Sequence, residues 1–249
     1  MTMRIMICGD WHGNARHAEY CFLQAKEHDV DVVFQLGDFG YWEHTDGGMK
    51  YLYDIALIVK MFKIPLYWID GNHENHVMLA KQYTNFDENG FVEIRDNVFY
   101  SPRGNVWKWD GVKFLSLGGA FSIDRNFRRP GTSFWFEETI TQDDVDVASK
   151  NGKDGVDVML CHDVLTGVDL HRIFWMMNKR LTKSRESDIN RDYVREVALA
   201  TRPRMLFHGH YHVRYKDHIE MPYGDLEVHG LNCDESYQDS WAILDTATA

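Results

Sequence analysis

The first third of the chain alternates short apolar runs with stretches of helical periodicity, and this order constrains the fold more than any other feature. The predicted strands are Arg4–Cys8, Asp31–Leu36 and Pro65–Ile69. Between them, apolar residues recur every three or four positions over His17–Glu27 and Met49–Phe62, which is typical of amphipathic helices. A strand, helix, strand, helix, strand order predicts right-handed crossovers and a parallel sheet.

The rest of the chain is predicted to supply the strands of a second sheet. Four short strands with intervening turns predict an antiparallel meander: Phe91–Ile94, Val98–Tyr100, Val106–Trp109 and Val112–Gly118. The later elements are strands at Val156–Cys161, Arg204–Phe207, Leu226–His229 and Trp241–Leu244, with a helix at Arg191–Ala200. Since no repeat or Pro-, Gly- or Ser-rich linker divides the chain, we expect one α/β domain over 1–249, with two sheets face to face and helices outside.

The charge of the chain argues against polyanionic partners. The formal net charge is −11 over 249 residues, and an acidic surface is a poor partner for duplex nucleic acid or anionic lipid. A small phosphate ester is compatible with this charge, because bound metals reverse the sign locally. We therefore expect neither a membrane nor an extended duplex as partner, whereas the charge does not exclude a small phosphoester substrate, such as a nucleotide.

The cysteines and the N-terminus favour a cytoplasmic protein. The four cysteines include no CxxC pair, so free thiols in a reducing compartment are expected. The first residues read as a strand and lack the apolar stretch of a signal peptide. No apolar run reaches the length that spans a membrane.

Five clusters rich in His, Asp or Asn follow predicted strands. They are Gly9-Asp10-Trp11-His12, Gly37-Asp38, Gly71-Asn72-His73-Glu74, Cys161-His162-Asp163 and Gly209-His210-Tyr211-His212. Ligands of open α/β sheets bind off the carboxyl ends of the strands, so we expect these clusters to meet at one rim. Imidazole combined with carboxylate and amide oxygen suits Mn²⁺, Fe, Ni²⁺ or Zn²⁺ better than Ca²⁺. The candidate ligands are Asp10, His12, Asp38, Asn72, His162, His210 and His212.

In this order, the clusters resemble the calcineurin-like metallophosphoesterase superfamily. Its pattern of D-x-H, G-D, G-N-H-[D/E], a lone His and G-H-x-H is matched from Asp10 to His212, and the joint match is far more specific than any single block. The resemblance implies a calcineurin-like four-layer sandwich, with two mixed β-sheets packed face to face and flanked by α-helices. It also implies a dinuclear metal centre.

The resemblance further implies a role for each cluster. One metal would be bound by Asp10, His12, Asp38 and His212. The other would be bound by Asp38, Asn72, His162 and His210, with Asp38 bridging. A metal-bridging hydroxide would attack the phosphorus, and His73 would face the scissile phosphate and protonate the leaving oxygen. Two divalent transition metals are expected per chain, Mn²⁺ in vitro, with Fe, Zn²⁺ or Ni²⁺ as alternatives.

Two residues of the third and fourth clusters keep alternative interpretations. Glu74 either orients His73 or places a negative charge at a helix N-terminus. Asp163 either orients His162 or caps the next segment. His208, which ends a strand, is interpreted as a buried, hydrogen-bonded histidine rather than a ligand.

The chain departs from the superfamily pattern after Gly37-Asp38. Many protein phosphatases of the superfamily continue with x-x-D-R, whose Arg grips a phosphate, whereas this chain has Phe39-Gly40-Tyr41-Trp42. The missing Arg favours the phosphodiesterase branch. The aromatic pair Tyr41 and Trp42 either stacks on a base or packs within its loop.

A second set of candidate phosphate ligands lies shortly after Gly118-Gly119. We expect one of Arg125, Arg128 and Arg129 to contact substrate beside Asn72 and His73, because Arg binds phosphate oxygens bidentately. The alternative is that these arginines form ion pairs with Glu137, Glu138, Asp143 or Asp144.

The segment 164–190 comes directly after a candidate metal ligand, so we expect it to form a cap or rim of the site. It is also a candidate dimer contact, since an exposed Phe174–Met177 run would favour a homodimer.

These observations together predict metal-dependent hydrolysis of phosphodiester bonds in small substrates, such as cyclic nucleotides or short nucleic acid ends. The alternative activity is that of a phosphomonoesterase or protein phosphatase. A third interpretation is a non-enzymatic scaffold with the same fold.

Overall fold

Two mixed six-stranded sheets form the centre of the computed structural model, which describes residues 2–82, 84–182 and 184–249. The strands are β1 (Arg4–Cys8), β2 (Val32–Gln35), β3 (Leu66–Trp68), β4 (Val92–Arg95), β5 (Val98–Tyr100), β6 (Val106–Trp109), β7 (Val112–Leu117), β8 (Val158–Cys161), β9 (Met205–His208), β10 (Tyr215–Met221), β11 (Gly224–Gly230) and β12 (Trp241–Asp245). The helices are α1 (Ala15–Glu27), α2 (Asp46–Phe62), α3 (His76–Ala80), α4 (Gln142–Asn151), α5 (Leu170–Met176) and α6 (Arg185–Thr201).

Each sheet has a parallel centre and antiparallel edges. The first sheet has the order β12-β1-β2-β3-β5-β4, and the second has the order β10-β11-β9-β8-β7-β6. In the first, β1, β2, β3 and β5 are parallel. In the second, β7, β8, β9 and β11 are parallel. The predicted parallel sheet is confirmed, and the carboxyl ends of its strands carry the first three polar clusters, while the other two follow β8 and β9 of the second sheet.

Alternation along β1 shows how the layers are built. Ile5 and Ile7 face the second sheet and join a core with Phe114 and Leu160. Met6 and Cys8 point the other way, into the core under α1 and α2, as expected because successive side chains of a strand face opposite sides. A third core lies between the second sheet and the helices α4 and α6. The order of helices, sheet, sheet and helices confirms the predicted four-layer sandwich.

The predicted antiparallel meander is wrong. Strands β4 and β5 form a hairpin in the first sheet, whereas β6 and β7 form a hairpin in the second. The chain crosses between the sheets after β5, where Pro102 lacks the N–H that a continuing ladder would need. The turn of the second hairpin uses Asp110 and Gly111, both with positive φ, as its two-residue loop requires.

Helix α4 was not predicted, because its exposed face is almost entirely polar. Only Val145 and Ala148 are buried along its length. Its start is fixed instead by a capping box, in which the Thr141 side chain accepts from the Asp144 N–H and the Asp144 carboxylate accepts from the Thr141 N–H.

All four cysteines are free, as predicted, and all four are buried. Across the residues that the structure describes, no helix has the length and apolar character needed to cross a membrane.

Candidate metal centre

The five polar clusters meet at one rim of the sandwich. Asp10 follows β1, Asp38 follows β2, and His162 follows β8. One group of ligand atoms, from Asp10, His12 and His212, lies within 4.8 Å of one another, and so does a second group from Asp10, Asp38 and His162. The rim therefore holds two overlapping sets of metal-binding side chains.

The Asp38 carboxylate lies between two histidines. Its Oδ2 atom is 3.6 Å from Nε2 of His12, and its Oδ1 atom is 3.5 Å from Nε2 of His162. The His73 backbone N–H also donates to Oδ1 at 2.8 Å. This carboxylate is buried, and its two oxygens face the two sides of the site.

The backbone turns sharply at four candidate ligands. His12, Asp38, His210 and His212 have φ values of 45°, 52°, 65° and 51°, in the left-handed region that residues other than glycine rarely adopt. Such conformations persist where the surrounding structure enforces them, and they concentrate at functional sites. Gly71 is equally constrained, because a Cβ atom there would lie 2.2 Å from Oδ1 of Asp38.

Two histidines are held by the ring nitrogen that faces away from the site. Nδ1 of His12 is 2.9 Å from Oδ1 of Asp234, whose other oxygen accepts from Asn14 at 2.8 Å. Nδ1 of His162 donates to the Leu36 carbonyl at 2.7 Å. Each arrangement presents Nε2 to the centre, as is usual for histidines that ligate metals.

The other two expected ligands of the second metal lie beside His162. The Asn72 amide nitrogen donates to Ser122 Oγ at 2.9 Å, which turns its oxygen to within 3.0 Å of His162 Nε2. The His210 ring centroid is 5.1 Å from that of His162. On the first side, His212 Nε2 is 2.9 Å from Oδ2 of Asp10. The structure thus brings all seven predicted ligands together.

The buried charges at this rim suit a divalent cation. Burial alone would raise the pKa of Asp38, but His73 and His162 hold it well below its usual range. Burial alone would lower the pKa of His162, but the Asp38 carboxylate beside it raises it to about 10. In the metal-free protein, protons on histidines therefore balance the carboxylates. Metal ions would take the place of those protons, and the donor set fits borderline transition metals.

His73 lies at the edge of the centre and contacts an arginine. Its Nε2 is 3.8 Å from Asp38 Oδ2. The Arg128 guanidinium reaches both ring nitrogens, at 2.6 Å from Nδ1 and 3.2 Å from Nε2. Burial lowers the pKa of His73. The Asp38 carboxylate raises this pKa, and the Arg128 guanidinium lowers it further.

Of the three predicted arginines, only Arg128 is placed at the centre. Arg125 packs over the Phe121 ring at 4.2 Å and lines a different cavity. The Arg129 side chain is exposed. Arg128 also forms the ion pair that the alternative interpretation anticipated, although with Asp124, at 2.8 Å.

Glu74 contacts the backbone, not the His73 ring, which corrects the expectation that it orients this ring directly. Its carboxylate accepts from the N–H of Gly40 at 3.1 Å and of Gly71 at 2.5 Å. Burial raises its pKa to about 8. Glu74 lies just before α3 in the chain, yet its role is to join the loops after β2 and β3.

The aromatic residues after Asp38 pack within the protein. Tyr41 is buried and stacks on Trp68 with centroids 5.7 Å apart. The Trp42 indole N–H donates to the His73 carbonyl. The packing interpretation therefore holds for this pair, and Trp42 helps to position the loop that carries His73.

The alternatives for two further residues are also resolved. The Asp163 carboxylate accepts from Tyr211 and Asn190 and from the next backbone N–H, at Val164, so it caps the following segment. His208 is buried and bonded to Tyr215 at 2.6 Å, as predicted.

Sequence reasoning missed the residues that support the ligands. Asp234 is 222 positions from His12, in a loop with no motif. Ser122 links Asn72 to Glu138, to which it donates at 2.8 Å, and only its position after Gly118-Gly119 gave a signal. These contacts join segments that are distant in the sequence, so no local sequence pattern predicts them.

Comparisons with known proteins show solved structures of similar fold. A search of curated proteins finds no match. Among solved structures, TT1561 of Thermus thermophilus has a TM-score of 0.62 at 10% identity, over 100% of this chain and 96% of that chain. A dimetal phosphatase from Danio rerio has a TM-score of 0.55 at 12% identity, over 97% of this chain and 91% of that chain. These likenesses show the fold.

The family is established by the sequence match that coincides with the clusters. The model of the calcineurin-like phosphoesterase family matches residues 3–214, a range that includes all five clusters and the seven candidate ligands. The chain therefore belongs to the calcineurin-like phosphoesterase family of metal-dependent hydrolases.

Proposed function

We propose that this protein hydrolyses phosphodiester bonds in small substrates, such as cyclic nucleotides or short nucleic acid ends, at a dinuclear metal centre. The observation that supports this most directly is the position of Asp38. Its two carboxylate oxygens face His12 on one side and His162 on the other, as a carboxylate shared by two metals would.

The metal ligands are proposed on the same basis. Asp10, His12, Asp38 and His212 hold one metal. Asp38, Asn72, His162 and His210 hold the other. Two bound metals would activate water and neutralise charge on the phosphoryl oxygens. Manganese is the ion that we expect to restore activity in vitro, with Fe, Zn²⁺ or Ni²⁺ as alternatives.

Arg128 and His73 act on the substrate in this proposal. Arg128 donates to a phosphoryl oxygen, for which guanidinium geometry is well suited. When Arg128 turns to the phosphate, His73 loses a cationic neighbour and gains an anionic one, and both changes favour the protonated imidazole. The protonated ring then donates to the leaving oxygen.

Preference for a diester rests on the residues after Asp38. The chain there lacks the arginine of many related phosphatases, and Tyr41 and Trp42 are used for packing. Of the three arginines predicted to contact substrate, Arg128 is the one that contacts His73. A diester carries one negative charge fewer than a monoester dianion and requires fewer cationic contacts.

Hydrolysis of bis-p-nitrophenyl phosphate and of p-nitrophenyl phosphate tests the proposal, with chelator-treated and Mn²⁺-reloaded protein side by side. Metal-dependent turnover that favours the diester is expected. Preference for the monoester would replace the proposal with a phosphomonoesterase. A protein with both metals bound and no turnover of either ester would favour the scaffold interpretation.

A further inference from the structure

A cavity of about 560 Å³ opens directly from the candidate metal centre. Its lining includes Asp38, His73 and His210 of the centre and also Phe174 and Leu181 from the segment 164–190. This volume lies within the range of small-molecule sites. The cavity has room for far more than a phosphoryl group. Its remaining lining would therefore contact the organic part of a substrate.

Two aromatic residues of the lining, Phe174 and Tyr211, form a corner next to the candidate ligand His210. The rings of Phe174 and Tyr211 are 6.3 Å apart and perpendicular, at 89°. Tyr211 is held in place because its hydroxyl donates to Asp163 at 2.9 Å. Its ring is 4.8 Å from that of His210. A flat group attached to a phosphate at the metals would therefore reach these rings.

The rest of the lining combines apolar side chains with polar and charged ones, Arg180 among them. Leu170, Leu181 and Ile123 line the cavity beside the aromatic corner. Arg180 lines this cavity and also an adjoining one of about 490 Å³. In the described part of the chain, Arg180 has no ion-pair partner, so its charge is free to attract an anionic ligand.

We infer that the corner formed by Phe174 and Tyr211 binds the base of a nucleotide, which makes nucleoside phosphoesters the substrate class of this site. The inference rests on the proposed phosphoester chemistry at the metals. Bases stack on aromatic side chains largely irrespective of sequence, and the loss of one such ring weakens binding by about tenfold or more. Phe174, in the segment 164–190, thereby contributes to substrate specificity.

Calorimetric titration of the Mn²⁺-loaded protein with adenosine 5′-monophosphate and with inorganic phosphate tests this inference. The wild-type protein is expected to bind the nucleotide more tightly than phosphate. Phe174→Ala should raise the Kd of the nucleotide about tenfold and leave that of phosphate unchanged. Phe174→Leu retains an apolar side chain in α5. It should weaken binding of the nucleotide to a similar extent, because it removes the flat ring.

Trp175→Ala is the matched control. Trp175 is the next residue of α5, is 79% exposed and does not line the cavity beside the metals, so its loss should change neither Kd. Equal affinity of the wild-type protein for nucleotide and phosphate would overturn the inference. The inference would also be overturned if Phe174→Ala and Phe174→Leu weakened the binding of nucleotide and of phosphate equally. The ring would then only support the fold.

The two proposals fail in different measurements. Absence of Mn²⁺-dependent hydrolysis of bis-p-nitrophenyl phosphate contradicts the proposed function, whereas binding of the nucleotide requires no turnover. If the protein hydrolyses that ester but binds the nucleotide no more tightly than phosphate, the proposed function stands. The inference that Phe174 and Tyr211 bind a base is then wrong.

Discussion

The guanidinium of Arg128 lies 2.6 Å from Nδ1 of His73. A neutral imidazole has one acceptor nitrogen, so Arg128 can donate to only one of the two ring nitrogens that it approaches. Asp124 holds the other side of the guanidinium, with Oδ1 accepting from Nε at 2.8 Å. The arginine is thereby kept beside the candidate general acid before any phosphate is bound.

Replacing Arg128 with alanine is expected to lower kcat/KM for bis-p-nitrophenyl phosphate at least tenfold, mainly through a higher KM. The reason is the loss of a charge-assisted contact to the phosphate, which typically contributes about 1.5–3 kcal/mol. Steady-state kinetics on Mn²⁺-loaded protein measures the change. Arg129→Ala removes a nearby exposed arginine and should leave the kinetics unaltered. If the two variants behave alike, Arg128 does not bind the phosphate.

His73→Ala is expected to retain both metals and to slow hydrolysis most for esters with poor leaving groups. A general acid matters most when the leaving oxygen is strongly basic, and its loss typically costs a factor of about 10²–10⁴. Rates for a series of phenyl esters of differing leaving-group pKa would measure this dependence, alongside elemental analysis. A uniform loss over the whole series would argue against the acid role.

Asp234→Asn is expected to weaken Mn²⁺ binding at the His12 side by about 10–100-fold, because carboxylates that orient ligating histidines typically contribute this much. The carboxylate of Asp234 holds Nδ1 of His12 at 2.9 Å. Titration of the metal-free protein with Mn²⁺ should show one weakened and one unchanged site. Glu235→Gln alters the adjacent exposed carboxylate and serves as the control. Two unchanged sites in Asp234→Asn would show that His12 needs no such support.

His76 is expected to make the metal-free protein less stable as the pH falls from about 6.5 to about 4. Burial lowers its pKa to about 4, so the unfolded chain takes up the proton first and stability is lost over that window. His76→Gln removes this contribution, which is roughly 2 kcal/mol between pH 7.5 and pH 4.5. Urea unfolding of wild-type protein and variant at both pH values measures the difference. A gap between them that does not change with pH would contradict the buried neutral histidine.

The sequence predicted the candidate ligands better than it predicted the residues that hold those ligands in place, and the reason is geometric. Asp10, Asp38 and Asn72 come after parallel strands, and the carboxyl ends of parallel strands meet, so the order of motifs was enough to bring them together. The contacts of Asp234 with His12 and of Glu74 with Gly40 depend on how loops from different strands approach each other. No periodicity encodes such contacts.

The same limit applies to parts of the fold. Strand β10 (Tyr215–Met221) escaped prediction because it is an edge strand whose exposed positions are Lys216, His218 and Glu220. Such polar and charged edges protect sheets from further pairing but hide the apolar alternation. The split of the expected meander into two sheets likewise depends on β5 pairing with β3, a long-range choice that neither strand reveals alone.

Anomalous diffraction from crystals grown with MnCl₂ tests the central claim most directly. The proposal predicts two manganese peaks roughly 3.5–4 Å apart, one on each side of the Asp38 carboxylate, with His12 and His162 on opposite peaks. A single peak, or two peaks that do not share Asp38, would contradict it.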